Sequence, residues 1–449
     1  MLLKYMGKQQ DFTEGNIWRQ LIIFSTPIIL TDLLQTSYQI VDSLWIGNLL
    51  GAKALGAVTV SATLVFTVLS FVIGLNHAAL TILSQQKGRG DWQGLKSYLN
   101  AFVVILFFLV VLLTVGGIFL AEALLKLLGT PESMVEDAKV YLQINFIGII
   151  FLVGYNFVSA VLRAMGDSRT PLRFVAVAVV CNVFLDPLFI AGFNLGIAGA
   201  GYATVLSQAI AFVYGVIHIF RHRLVPFSIP KLPKWEEVKL ILHIGIPSGL
   251  QMAVISAGIA AIMSVVTSFG EAVVGGFGAA QRIDSLITLP AGALGTAVSS
   301  MAGQNIGVRN WRRVHLITRY ALSLNLVIML FVGLFVFCFA ELSVKLFIQD
   351  AEAVHFATMY LKTMAFFFPF LGVNFVLNGV VRASGAMYQI LILNIISFWV
   401  LRYPLTSLFS DWFGPKGIAY GMGLSFVLSG AISALYYFFG RWRKKNLFA

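Results

Sequence analysis

Charge is what this sequence has least of. Asp, Glu, Lys and Arg make up only 11% of its 449 residues, against about 25% in soluble domains. A chain that is 59% hydrophobic, with a mean hydropathy of +0.88, has too little polar surface to sit in water. It reads as an integral membrane protein. Cysteine is nearly absent as well. Cys181 and Cys338 each lie inside an apolar run, which excludes a disulfide framework and makes both reduced packing residues. The alternating ten-residue strands of a transmembrane barrel are missing. So are a G-x-x-x-x-G-K-[ST] loop, an H-E-x-x-H helix, a G-x-S-x-G elbow and any paired Cys/His cluster, and the six histidines are scattered. No ATP site, metal centre, cofactor or enzymatic activity is expected. The start of the chain, MLLKYMGKQQDFTEG, is polar and shows no cleavable signal pattern.

What the sequence does have is apolar length. Segments of 20 or more residues predict an all-α, polytopic protein of twelve transmembrane helices. They fall near 17–46, 53–84, 93–121, 135–165, 170–192, 197–221, 238–268, 272–304, 312–340, 354–384, 387–412 and 416–440. With the N-terminus in the cytoplasm, Arg89, Arg163, Arg169, Arg221, Arg223, Lys231, Arg309, Arg313 and the basic tail from Arg441 to Lys445 all fall on the cytoplasmic side. The opposite side receives Lys53, Lys126, Lys139, Lys345, Lys362 and Lys416, among many acids. This asymmetry follows the positive-inside rule and puts both termini in the cytoplasm. The formal net charge of +12 is thus topological, and no nucleic-acid partner is implied.

The two halves repeat each other. QQKGRGDW at Gln85–Trp92 returns as QNIGVRNW at Gln304–Trp311, and VLRAMG at Val161–Gly166 returns as VVRASG at Val380–Gly385. Gly196-Ile197-Ala198 matches Gly417-Ile418-Ala419, and Pro27 matches Pro247, all at an offset of about 220 residues. Between the halves, RHRLVPFSIPKLPKWEE is the one long polar, proline-bearing connection. The expected organisation is an N-terminal six-helix lobe over 1–221, a cytoplasmic linker over 222–237 and a C-terminal six-helix lobe over 238–449. An even number of helices per repeat gives both lobes the same orientation, the arrangement of secondary transporters.

Few polar residues fall inside the apolar spans. The first, around which the chain is organised, carries Asp32, Gln35, Gln39 and Asp42 at spacings of three, four and three, with Tyr38 at the edge of the stripe. A carboxylate near the bilayer centre costs roughly 2.5 kcal/mol or more on insertion scales, so such a group marks a pathway or is held by a structural partner. Pro27 predicts a kink in the same helix. On the fifth helix Asn182 and Asp186 are one turn apart, before Pro187. Tyr141, Asn156 and Thr204 are candidate hydrogen-bonding neighbours. Two carboxylates in one dry cavity share a proton more readily than they share charge, as a proton-binding site requires. The competing reading of Asp186 is a helix-end carboxylate near the outer surface. In the second half the seventh and tenth helices lack carboxylates within their apolar spans. Asp284 and Arg402 should lie at similar depth and are expected to form a structural ion pair.

The stretch TPIILTDLLQTSYQIVDSLWIGNLLGAKALGAV, the NVFLDPLFI segment and the paired LRAMGDSRTP and VRASG elements resemble the MATE family of multidrug and toxic compound extrusion transporters, most closely its DinF branch. The resemblance covers essentially the whole chain. It implies two pseudo-symmetric six-helix lobes around a central cleft in the cytoplasmic membrane, acting as a monomer. It also implies export of lipophilic, mostly cationic drugs in exchange for protons, with sodium as the alternative ion and a lipid or lipid-linked precursor flippase as the alternative function. By motif, Asp42 matches the first-helix coupling acid, and Asn182 and Asp186 its fifth-helix partners. Gln39, Tyr38, Asn156, Tyr141 and Thr204 complete the expected proton and substrate site. The acidic cation ligands that the NorM branch carries on the seventh and tenth helices are missing, which favours proton coupling in the first lobe.

Overall fold

A computed structural model describes residues 10–227 and 230–448. The first nine residues of the polar start, and Ser228 and Ile229 of the expected linker, lie outside the described residues. The described chain is helical, as an apolar chain must be when only intrahelical bonds can satisfy its backbone. Its spans are α1 (Ile17–Gly51), α2 (Lys53–Arg89), α3 (Trp92–Leu127), α4 (Glu132–Ile147 with Ile149–Ala164), α5 (Arg169–Gly192) and α6 (Gly196–His222). They continue with α7 (Trp235–Thr267), α8 (Glu271–Gly307), α9 (Trp311–Lys345), α10 (Ala351–Met364 with Phe368–Ala383), α11 (Met387–Phe413) and α12 (Lys416–Phe439). Ten are long and apolar enough to cross a bilayer singly. The bent pairs α4 (49°) and α10 (56°) bring the number to twelve when each counts as one span.

The sequence repeat reappears in local geometry. Gly90 and Arg309 both take positive φ, and the next residues, Asp91 and Asn310, cap α3 and α9 by accepting from Gly94 N (2.8 Å) and Arg313 N (3.1 Å). Such caps contribute about 1 kcal/mol each. Gly166 and Gly385, at the ends of α4 and α10, both adopt left-handed φ (76° and 83°). At Gly166 a Cβ would lie 2.3 Å from the Gln10 carbonyl oxygen, so the turn also requires the missing side chain. The fifth and eleventh spans each contain a π-helical segment, at Leu188–Gly192 and Ile396–Arg402.

Pro27 lies within the helix of α1, and the non-helical backbone of this stretch lies at Gly51 (φ 84°, ψ −179°), where α1 gives way to α2. The expectation for the cysteines changes. Both thiols are free, but only Cys181 is half-buried, and Cys338 is exposed rather than packed inside.

The chain forms two compact units whose limits differ from the linker boundaries. One holds Thr26–Ile246 with Gln10 and Asp11; the other holds Phe12–Ser25 and Pro247–Ala449. The chain therefore passes between units beside the two repeat-matched prolines, inside α1 and α7. In the second unit the core gathers around α8, where Phe277, Ile283 and Ile287 pack with Tyr360, Phe368 and Met329. Gly379 of α10 lies so close to α8 that a Cβ would meet the Gly295 carbonyl oxygen at 2.4 Å, the small-residue contact that lets membrane helices approach.

Candidate functional site

Within the first unit, α1, α4, α5 and α6 bring one group of polar side chains together. Asp42 is 8% exposed and Asp186 fully buried. Their carboxyl groups come within hydrogen-bonding reach of each other. Asn182, one turn back on α5, donates from Nδ2 to Asp186 Oδ1 at 3.0 Å. Tyr38 and Tyr141 face both acids, and Thr204 of α6 lies beside both phenols. Six of the eight expected site residues thus share one pocket of polar groups. The reading of Asp186 as a surface carboxylate is set aside by its burial.

The Tyr141 ring joins this cluster to an apolar one of Trp45, Ile46, Leu50, Val58, Ile190 and Ala200. In such surroundings an unpaired polar atom is costly. Yet Asp42 Oδ1, Asp186 Oδ2, Asn182 Oδ1, Tyr38 Oη and Thr204 Oγ1 have no partner of hydrogen-bond geometry among the described residues. Two neighbouring carboxyl groups, each with an oxygen that no donor reaches, call for a proton, or for a cation. The arrangement is suited to binding and releasing a positive charge. It offers no nucleophile with an adjacent base.

The other two expected residues lie elsewhere. Gln39 is exposed on α1, and its carbonyl accepts from the Ser43 hydroxyl. Asn156 donates to the Leu152 carbonyl of its own helix and neighbours Tyr155. Asn156 belongs to a second polar layer on α1 and α4. There Gln35 Nε2 donates to Tyr155 Oη at 3.3 Å, and Asp32 lies 3.8 Å from the Arg163 guanidinium. The stripe on α1 is therefore split between two layers. Arg163, expected on the cytoplasmic side, sits in the last turn of α4 as the partner of Asp32. Tyr155 and Asn145, the latter beside Tyr141, also escaped the sequence reading. The signal for Arg163 was an acid inside the apolar span of α1 that required a cation at its own depth.

In the second unit the expected Asp284–Arg402 ion pair does not form. Tyr360 Oη donates to Asp284 Oδ2 at 3.1 Å. The Arg402 guanidinium lies 3.9 Å from the Phe398 ring centre and 4.6 Å from that of Phe426, and its Nε donates to Ser425 Oγ. Two aromatic faces replace the carboxylate as the cation's partner. Tyr360, near both charges, takes the place that direct pairing was expected to fill. Among the described residues no group of three or more His, Cys, Asp or Glu is placed to hold a metal ion.

Duplicated helical units, spans long enough for a bilayer and a buried acidic pair in the first unit define a polytopic membrane protein of the transporter type. The comparisons with known proteins agree. The MatE family model matches residues 27–188 and again 247–408, so the two matches begin at Pro27 and Pro247. The chain is 60% identical over 441 residues to the "Probable multidrug resistance protein YpnP" of Bacillus subtilis, covering 98% of this chain and 99% of that protein. It is 26% identical to the "Probable multidrug resistance protein NorM" of Thermotoga maritima, over 96% and 94% of the two chains. In fold it is similar to a multidrug resistance MATE family transporter solved in an outward-facing conformation, with a TM-score of 0.90 at 24% identity over 97% and 98% of the chains. The Vibrio cholerae MATE transporter VcmN in the bent form gives 0.91 at 23% identity over 96% and 98%. The chain belongs to the MatE family.

Proposed function

We propose that this protein is a proton-coupled multidrug efflux antiporter of the cytoplasmic membrane, exporting amphipathic, mostly cationic organic compounds. The observation that carries this reading is the pair of buried carboxyls, Asp42 and Asp186, each with an oxygen that no donor reaches. The names of the relatives, as multidrug resistance proteins, support the substrate class. A proton entering the pair neutralises a charge that a low-dielectric site tolerates poorly. A cationic drug does the same by another route. The two ligands therefore exclude one another, and that exclusion is what an antiporter requires. Asp42 is the attracting group when ionised and the releasing group when protonated. Asn182 steadies Asp186, and Tyr38, Tyr141 and Thr204 supply hydroxyls that turn toward whichever acid holds charge.

Purified protein in liposomes tests the coupling ion. A proton gradient imposed without sodium should drive export of a cationic dye, and a sodium gradient at fixed pH should not. Strict dependence on sodium would turn the Asp42–Asp186 pair into a cation cage instead.

A further inference from the structure

Away from the acidic cluster, the first unit contains a cavity of about 320 Å³ between α3, the second arm of α4 and α6. None of its lining residues carries a polar side chain; Val103, Val153, Phe157, Phe212 and Phe220 form its walls. Phe107 and Phe220, 56% and 61% exposed, mark it as opening on the outer, membrane-facing side of the helices. Along α6 it runs from Phe212 to Phe220, roughly 12 Å at about 1.5 Å per residue.

One end is built differently from the rest. Phe227 and Pro230, from the connection after α6, complete the lining there. That connection is fastened to α3 by a reciprocal amide pair: Lys231 N donates to Asn100 Oδ1 at 2.6 Å, and Asn100 Nδ2 donates to the Lys231 carbonyl at 2.7 Å. Asn100 is less than one turn ahead of Val103, so Lys231 is held at the mouth. On the α6 side, Arg221 lies one residue beyond Phe220, and Arg223 is the left-handed cap of the helix (φ 50°). All three basic residues are exposed, and none makes an ion pair among the described residues. No Asp or Glu occurs between Pro187 and Trp235. The first carboxylates beyond it, Glu236 and Glu237, open α7; Glu236 is exposed there, and Glu237 is engaged by the Ser97 hydroxyl and by Lys234 N.

We propose that this groove is a binding site for an anionic phospholipid, one acyl chain lying in the cavity and the phosphate held by Arg221, Arg223 and Lys231. An all-apolar channel takes a hydrocarbon tail, and the basic rim selects the headgroup. The same rim repels the lipophilic cations assigned to the acidic cluster, which separates this site from the transport pathway. Basic residues near a membrane surface attract anionic lipids, so three together can favour an anionic headgroup by about tenfold or more.

Native mass spectrometry of the full chain tests this, with phosphatidylglycerol and phosphatidylcholine of identical acyl chains as the probes. Phosphatidylglycerol should bind at least about tenfold more tightly. The triple variant Arg221→Gln, Arg223→Gln, Lys231→Gln alters exposed side chains only and should bring the two lipids to equal affinity. Val103→Trp, which fills the groove, should weaken both. Equal binding of the two lipids by the unmodified protein would overturn the proposal, leaving only annular lipid. So would displacement of phosphatidylglycerol by tetraphenylphosphonium, which would make the groove a cation site. A thermally intact Val103→Trp variant with unchanged phosphatidylglycerol binding would place the lipid elsewhere.

Discussion

Asn182 donates to Asp186 across one turn of α5, at 3.0 Å, and uses Asp186 Oδ1, leaving Oδ2 without a donor in a carboxyl that lies within hydrogen-bonding reach of Asp42. The carboxyl that meets Asp42 is thus only half satisfied. A hydrogen bond to a charged group contributes about 1.5–3 kcal/mol.

Removing that donor should therefore move the working pH. In Asn182→Ala the ionised pair loses more stabilisation than the protonated pair, whose neutral carboxyl accepts the same hydrogen bond more weakly. Half-maximal binding of a cationic dye, measured from pH 5 to 9, should shift upward by about one pH unit or more. An unchanged midpoint in a folded variant would show that Asn182 has only a packing role.

In the second unit the prediction concerns which residues are coupled. Tyr360→Phe strips Asp284 of its hydrogen-bond donor and should lower thermal stability by about 1–3 kcal/mol. Combining it with Asp284→Asn should recover part of that loss, a coupling of about 0.5 kcal/mol or more. Arg402→Leu combined with Asp284→Asn should be nearly additive, because Arg402 leans on Phe398 and Phe426. Strong Asp284–Arg402 coupling in a thermal-shift cycle would restore the direct ion pair.

The contrast between these two sites shows what the sequence could convey. Twelve spans were legible because apolar length is a one-dimensional property, and the repeat was legible because Gly166 and Gly385 serve the same turn. Asn182 and Asp186 could be placed together because one turn of helix fixes their separation. The α1 stripe was only half readable. Spacing puts Asp32, Gln35, Gln39 and Asp42 near one face, but which neighbour meets each depends on the bend in α4, and bend angles are set by packing. The Asp284–Arg402 expectation failed for a related reason. Equal depth is necessary for pairing, but a buried acid accepts any donor and a buried guanidinium accepts any π face. Tyr360, Phe398 and Phe426 supplied both.

The last prediction is about Asp42. Asn at this position keeps the shape and polarity of the protonated acid but can no longer take up charge. Asp42→Asn should therefore fold normally, with its thermal midpoint and its detergent-solubilised yield close to those of the parent protein. It should nevertheless abolish drug resistance in cells and proton-driven export in liposomes. Two routes to that loss can be separated by substrate charge. If proton and drug compete directly at the carboxyl, a neutral substrate should bind with little dependence on pH, because it gains nothing from the ionised group. If protonation instead reshapes the Asp42–Asp186–Asn182 contacts and bends α1, neutral and cationic substrates should lose affinity together on acidification. Direct competition is the expected result. A cation gains most from an ionised carboxylate where the dielectric is low, and Asp42 and Asp186 are both enclosed by apolar side chains. Binding isotherms for one neutral and one cationic dye of similar size, each at pH 6 and pH 8, decide between the routes. A folded Asp42→Asn protein that still exports drug in a pH-dependent manner would remove Asp42 from the mechanism altogether.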